Sequence, residues 1–175
     1  TKELRQEKVM GEKTAISWCD STWSPWVGCT KVSPGCANCY AAALAWRFRR
    51  LEYKLGVPRQ LTADWTLPER LNRKAARMGT RLRVFPSMCD VFDEEVPQEW
   101  RNRFFALVAL TPHLDWLVLT KRARAMQTYL GDNQSGCCAA IHEQARTVAG
   151  EPTTDLHVWP FPNLWLGVSV ENQAT

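Results

Sequence analysis

Three cysteines stand close together on one short stretch of the sequence. Cys29, Cys36 and Cys39 form a C-x6-C-x2-C arrangement. Because each thiolate can hold one iron, this loop can bind three irons of a [4Fe-4S] cluster and leave the fourth iron open to another ligand. Gly28 and Gly35 suit a loop that bends tightly around a bulky group. The leading interpretation of the three cysteines is therefore an iron–sulfur site.

Two other interpretations of this loop stay open. Cys36 and Cys39 have the C-x2-C spacing of a zinc knuckle, and Cys29 with Cys19 would complete four thiolate ligands. Zinc knuckles normally combine two short C-x2-C pairs, whereas Cys19 and Cys29 form a wide pair. The third interpretation is a loop that binds no metal.

The segments around the loop must hold it in place. Thr14 to Trp18 is predicted as a short strand before it. Apolar residues then recur with helical spacing from Tyr40 to Leu55 and stop before Gly56, which predicts a helix. This helix would place Cys39 in its first turn, where free backbone N–H groups favour a thiolate-bound cluster.

The rest of the chain alternates between helical and strand patterns. Helices are predicted over 67–78, 97–110 and 123–130, and strands over 81–88, 116–120 and 163–170. Residues 131–162 are predicted to be irregular, with one short helix near 139–148. Apolar strands that alternate with helices indicate an α/β fold with parallel β/α units. Four units are half of an eight-unit β/α barrel; the alternative is an open sheet whose last strand is covered by another chain.

The composition limits the class of protein. The 175 residues carry 22 Lys or Arg and 18 Asp or Glu, and 45% of them are hydrophobic. Neither a membrane span of about 18 apolar residues nor the apolar core of a signal peptide is evident, which predicts a cytoplasmic protein. In such a compartment, seven cysteines favour metal or redox chemistry over disulfides. Residues 1–13 are predicted to form a charged tail, and residues 14–175 one domain.

Five ordered motifs resemble the phage and prophage three-Cys-motif family, an uncharacterised family that looks like a divergent relative of radical S-adenosylmethionine (SAM) enzymes. The motifs are ISWCDSTWSP at 16–25, GCTKVSPGCANCYA at 28–41, SMCDVF at 87–92 with Val96-Pro97, LTKR at 119–122 and WLGVSVENQ at 165–173. The resemblance implies a β/α-barrel-like fold whose cysteine loop binds the cluster, with SAM on the open iron. It also implies a bacterial or phage-infected host cell. It assigns no reaction, and a usual member continues for a further barrel portion.

Polar side chains follow several of the predicted strands. In β/α folds the chemistry collects at the carboxyl ends of the strands, so these residues are expected to converge on the cysteine loop. They are candidates for binding SAM or an anionic substrate; the alternative is ordinary helix capping and surface pairing. The candidates are Ser87, Asp90, Lys121, Arg122, Ser169, Glu171 and Asn172.

Two surfaces could bind partners. Residues 47–83 hold 11 basic and three acidic residues, and the basic ones include Arg47, Arg50, Lys54, Arg70, Arg73, Lys74 and Arg77. They would form one positive face on each of two helices, which could bind nucleic acid or could be a solvated outer surface. With zinc in the cysteine loop, this face would make the chain a phage-associated nucleic-acid-binding module. The strand near 163–170 would also present an open edge, where a partner chain or a second copy could pair.

Overall fold

The computed structural model describes residues 13–49, 52, 54, 56–131, 134–149 and 160–171. Along the chain its elements are β1 (Ser21–Thr22), β2 (Trp26–Val27), α1 (Tyr40–Arg49), β3 (Gln60–Leu61), α2 (Leu67–Met78), β4 (Leu82–Phe85), α3 (Gln98–Leu110), β5 (Leu114–Thr120), α4 (Ala123–Gly131), α5 (Gln134–Ala149) and β6 (Leu164–Val168). A short 3₁₀ turn, Pro34–Asn38, precedes α1. Within the described ranges, no helix is long and apolar enough to cross a membrane.

Four strands form a parallel sheet in the order β1-β4-β5-β6, which is also their order along the chain. The fold is therefore a mixed α/β architecture, as the alternating pattern predicts. β2 and β3 form a separate antiparallel pair, which the sequence pattern did not indicate. All four parallel strands end at the same edge of the sheet, so the loops that follow them are brought together there.

One face of the sheet is covered by helices. Leu114, Trp116 and Val118 of β5 are buried on this face, whereas the residues between them are partly exposed. The ring of Phe104 in α3 meets that of Trp116 edge-on, with 5.2 Å between the ring centroids. Buried aromatic side chains remove large apolar areas from water, so this layer fixes the helices on the sheet.

The first strand lies later in the sequence than predicted. Residues 14–18 form bends and turns, and the sheet begins instead at Ser21 and Thr22, which pair with Val84 and Phe85. Ser21 and Thr22 are buried although both are polar. The prediction was wrong because pairing with β4, rather than local apolar character, decides where this strand forms.

The first helix is also shorter than predicted, and different side chains face the interior. α1 spans Tyr40–Arg49, and Lys54 lies in a bend beyond it rather than on the helix. Its buried residues are Ala41 and Ala45, while the side chain of Tyr40 is exposed. Small side chains therefore face the interior, because this helix packs close to the cysteine loop.

The segment predicted as irregular contains a long helix. α5 covers Gln134–Ala149, and its side chains Ile141 and Ala145 are fully buried in the main core. α2 begins and ends as predicted, with Gly79 in the left-handed conformation after its last turn, at φ 63°. α3, α4, β4, β5 and β6 are confirmed, with ends that differ by a few residues.

Candidate functional site

A cavity of about 210 Å³ lies at the carboxyl edge of the parallel sheet. The three cysteines of the loop line it together with five of the seven predicted strand-end residues. Its walls include Cys29, Cys36, Cys39, Tyr40, Phe85, Ser87, Cys89, Asp90, Leu119, Lys121, Arg122 and Ser169. Strand-end side chains and the cysteine loop therefore lie together, as the sequence leads us to expect.

The shape of the cysteine loop follows from its local sequence. Gly28 has a φ of 117°, and its N–H donates to the carbonyl of Met88 at 3.1 Å, which ties the loop to the end of β4. The 3₁₀ turn then carries Cys36. The carbonyl of Cys39 accepts a hydrogen bond from the N–H of Ala43 at 3.2 Å, so Cys39 caps α1 and does not lie in its first turn.

Arg122 joins the cysteine loop to the sheet. Its side chain is only 5% exposed and forms an ion pair with Asp90 at 2.9 Å. The same guanidinium donates to the sulfur of Cys29 at 3.3 Å and to the carbonyl of Thr30. Arg122 therefore fixes the position of Cys29 and places a positive charge beside its sulfur.

Asp90 lines the cavity and accepts several hydrogen bonds. One carboxylate oxygen accepts from the N–H of Phe92 and the hydroxyl of Thr120, and the other from the N–H of Lys121 and from Arg122. Both oxygens are therefore used within the protein. Asp90 therefore links the segment after β4 to the end of β5.

The other strand-end candidates divide into two groups. The ammonium of Lys121 pairs with the carboxylate of Glu171, which also reaches the cysteine loop. Ser87 and Ser169 line the cavity, and the carbonyl of Ser87 accepts from the hydroxyl of Tyr40 at 2.9 Å. Asn172 lies outside the described residues.

A comparison with protein families matched the chain over residues 13–175 to the family described as Protein of unknown function (DUF5131). The chain belongs to this family. No curated protein and no solved structure matched it. The cavity and its cysteines are thus features of a DUF5131 chain.

Sequence reasoning missed Arg59, whose side chain contacts the cysteine loop of this DUF5131 chain at Thr30. Arg59 is buried and pairs with Asp93 at 2.7 Å and with Glu95 at 2.7 Å. It also donates to the hydroxyl of Thr30, the residue after Cys29. Two arginines therefore hold Thr30, one by its side chain and one by its carbonyl. No local signal marks Arg59, because the side chains that it contacts belong to residues 29 to 36 positions away.

Burial controls the ionisation of two thiols at the cavity. Burial raises the pKa of the Cys29 thiol to about 11, and the charge of Arg122 lowers it only in part. Burial also raises the pKa of Cys89 well above its ordinary value. Since metals bind thiolates, a metal at Cys29 has to displace the thiol proton.

Positive charge lies beside the cavity. The guanidinium of Arg122 lies 3.3 Å from the sulfur of Cys29, and its Nε is buried without a hydrogen-bond partner among the described residues. A positive charge next to this sulfur favours a thiolate or another negatively charged group there. Cys29, Cys36 and Cys39 reach the cavity from different positions on its wall. In the described ranges, no three His, Cys, Asp or Glu side chains meet closely enough to hold one metal ion.

The other cysteines occupy different places. Cys89 lines the cavity, whereas Cys19, the fourth ligand of the zinc interpretation, is buried outside its wall. The side chains of Cys137 and Cys138 lie outside the described residues.

The predicted basic face does not reach this site. Arg70 pairs with Asp64 at 3.1 Å, and Arg73 lies 3.9 Å from Glu69. Lys54 pairs with Glu52, and Arg50 lies outside the described residues. Among those that the structure describes, none of the basic residues predicted to bind nucleic acid lines the cysteine cavity.

Proposed function

We propose that this chain is a radical-SAM-like iron–sulfur protein in which Cys29, Cys36 and Cys39 hold a [4Fe-4S] cluster. The observation that carries the proposal is that three thiols and a buried arginine line one cavity. Three cysteines occupy three irons and leave one for SAM. When bound, such a cluster supplies the electron for reductive cleavage of SAM, which starts radical chemistry on a substrate.

The winding of the sheet supports the barrel-like part of the proposal. The strand order follows the chain without reversal, so each new strand is added on the same side. A β/α barrel is wound in this way, whereas a doubly wound sheet reverses direction at a switch point. This order supports the proposal that the four strands form about half of a barrel.

The residues around the cavity have distinct tasks in this proposal. Arg122 places positive charge beside Cys29, where it would attract an anionic group. Phe85 and Leu119 supply apolar wall, which limits the access of water. Lys121 stands at the cavity with its charge paired to Glu171. The site thus combines positive charge with a partly apolar enclosure, which suits a negatively charged cluster.

Metal and acid-labile sulfide content after anaerobic purification tests the proposal. We compare the wild type with a triple variant, Cys29→Ala, Cys36→Ala and Cys39→Ala, and with the matched control Cys19→Ala, whose thiol is buried outside the cavity. About four irons and four sulfides per chain are expected in the wild type and the control, and none in the triple variant.

Two results would contradict this function. About one zinc per chain without sulfide would overturn the cluster and favour the zinc-binding module, whose affinity for nucleic acid should fall steeply with salt. A full cluster that neither binds nor cleaves SAM would retain the iron–sulfur site but overturn the radical chemistry.

A further inference from the structure

Glu171 makes contacts that none of the roles considered above explains. It follows β6 at one edge of the sheet, and its carboxylate reaches the cysteine loop, which follows the strand at the opposite edge. One oxygen accepts from the hydroxyl of Ser33 at 3.1 Å and from the ammonium of Lys121. The other accepts from the N–H of Gly35 at 2.6 Å. Both oxygens thus accept hydrogen bonds from the protein itself.

Gly35 makes this approach possible. A Cβ at this position would overlap the carboxylate of Glu171. Unlike Gly28, Gly35 does not have a positive φ. Glycine is therefore required here for space, so that the carboxylate can reach the backbone N–H, and not for a tight bend as its sequence context suggested.

Ser33 connects Glu171 to a proposed metal ligand. Its hydroxyl oxygen lies 3.4 Å from the sulfur of Cys36 and 3.1 Å from Glu171. A hydroxyl has one proton to donate, and both a carboxylate and a metal-bound thiolate accept only. The single proton of Ser33 can therefore go either to Glu171 or to the sulfur of Cys36, and the contact with the charged carboxylate is the shorter of the two.

We propose that Glu171 is a positioning residue for the cysteine loop: its carboxylate holds the N–H of Gly35 and takes the proton of Ser33, which keeps that hydrogen bond off the sulfur of Cys36. The first part concerns the loop alone. The second rests on the proposed function, because it takes Cys36 as a cluster ligand. Hydrogen bonds to ligand sulfurs and nearby charge both set the reduction potential of such clusters.

Amide hydrogen exchange tests the first part without requiring any metal. In the protein as purified, Glu171→Ala should speed exchange of the Gly35 N–H by about tenfold or more, because a hydrogen bond to a carboxylate is stronger than a neutral one. The matched control is Glu94→Ala, an exposed acid that makes no ion pair with any described residue. Equal exchange at Gly35 in the two variants would overturn the proposal. If Glu171→Ala does not fold, Glu171→Gln keeps the shape and should give a smaller increase.

Reduction potentials test the second part once iron and sulfide are reconstituted. Glu171→Ala should raise the potential, because it removes a negative charge and frees the Ser33 proton for Cys36. Ser33→Ala alone should leave the reduction potential close to that of the wild type. In the double variant, which combines Ser33→Ala with Glu171→Ala, the rise should be smaller than in Glu171→Ala alone, because no serine proton can reach Cys36. A potential that falls in Ser33→Ala would mean that Ser33 already donates to Cys36, and would overturn this part. A chain without a cluster would contradict the proposed function, while the exchange result would still decide the contact between Glu171 and Gly35.

Discussion

The guanidinium of Arg122 lies 3.3 Å from the sulfur of Cys29, although 93 positions of sequence separate the two residues. Arg122 also pairs with Asp90 and lies 3.5 Å from Asp93, both of which are almost fully buried. Arg122 therefore contacts both the cysteine loop and the buried carboxylates. Buried ion pairs contribute little net stability, but removal of one partner leaves an uncompensated charge.

Arg122→Met is therefore expected to destabilise the protein by about 3–5 kcal/mol, because it leaves the buried carboxylate of Asp90 without its cation. Urea unfolding monitored by tryptophan fluorescence measures this loss. The matched control is Arg83→Met, which removes an arginine from an exposed pair with Asp20. It should cost far less, since exposed ion pairs are screened by water. Equal losses in the two variants would show that Arg122 is not the central cation of this network.

Asp64 gives the structure a pH-dependent helix cap. Its carboxylate accepts from the N–H groups of Thr66 and Leu67 at the start of α2. The hydrogen bond from the Thr66 side chain, together with Arg70, holds the pKa of Asp64 below its ordinary value of 3.8. Because the folded pKa is lowered, the stabilisation is complete above the unfolded pKa and disappears as the pH falls through the folded one.

Asp64→Ala should cost about 1 kcal/mol of stability at pH 7, the usual contribution of an N-terminal cap. The difference between wild type and variant should shrink below pH 3.8 as the wild-type carboxylate takes up its proton. Urea unfolding at several pH values between 2 and 7 measures it. A difference that stays constant over this range would show that the charge of Asp64 is not what stabilises α2.

The sequence predicts an element well where its signals are local. Leu67, Leu71 and Ala75 repeat at helical spacing, and Gly79 supplies the left-handed residue that ends α2. β5 contains the apolar run from Trp116 to Leu119 and is therefore equally clear, although the strand begins two residues before the predicted start, at Leu114. In α2, the residues that define the element also define its ends, so no distant contact is needed to place it.

Distant contacts decide the elements that were misplaced. Ser21 and Thr22 become a strand by pairing with β4, more than sixty positions further along the chain. The polar and small side chains of α5 give little helical period, and the helix is secured by Ile141 and Ala145 in the core. The same limit applies to Arg59, whose function is visible only when its partners are seen around it.

The site was predictable in place but not in detail. The rule that chemistry collects at strand ends brings Asp90, Lys121 and Arg122 to the cysteine loop. It could not show that the carboxylates of Asp90 and Glu171 accept hydrogen bonds from the protein itself, because these bonds come from backbone N–H groups of other loops.

Ile141 tests whether α5 belongs to the core. Its side chain is only 1% exposed, so Ile141→Ala should leave a cavity and cost about 2–5 kcal/mol. The matched control is Met78→Ala on α2, a large apolar side chain that is 61% exposed and should change stability by no more than about 0.5 kcal/mol. Thermal unfolding of both variants provides the comparison. A similarly small change in both would mean that α5 does not pack on α3.

β6 presents an unpaired edge in the described part of the chain. Leu166 and Val168 are both partly exposed, and Trp165 on the other face is 61% exposed. An exposed apolar edge strand is a template for pairing with another chain, and a lysine on such a strand opposes this pairing. Val168→Lys should therefore reduce concentration-dependent association measured by light scattering. The matched control is Val170→Lys, which adds the same charge just beyond β6. If association persists equally in both variants, the edge of β6 is not the contact.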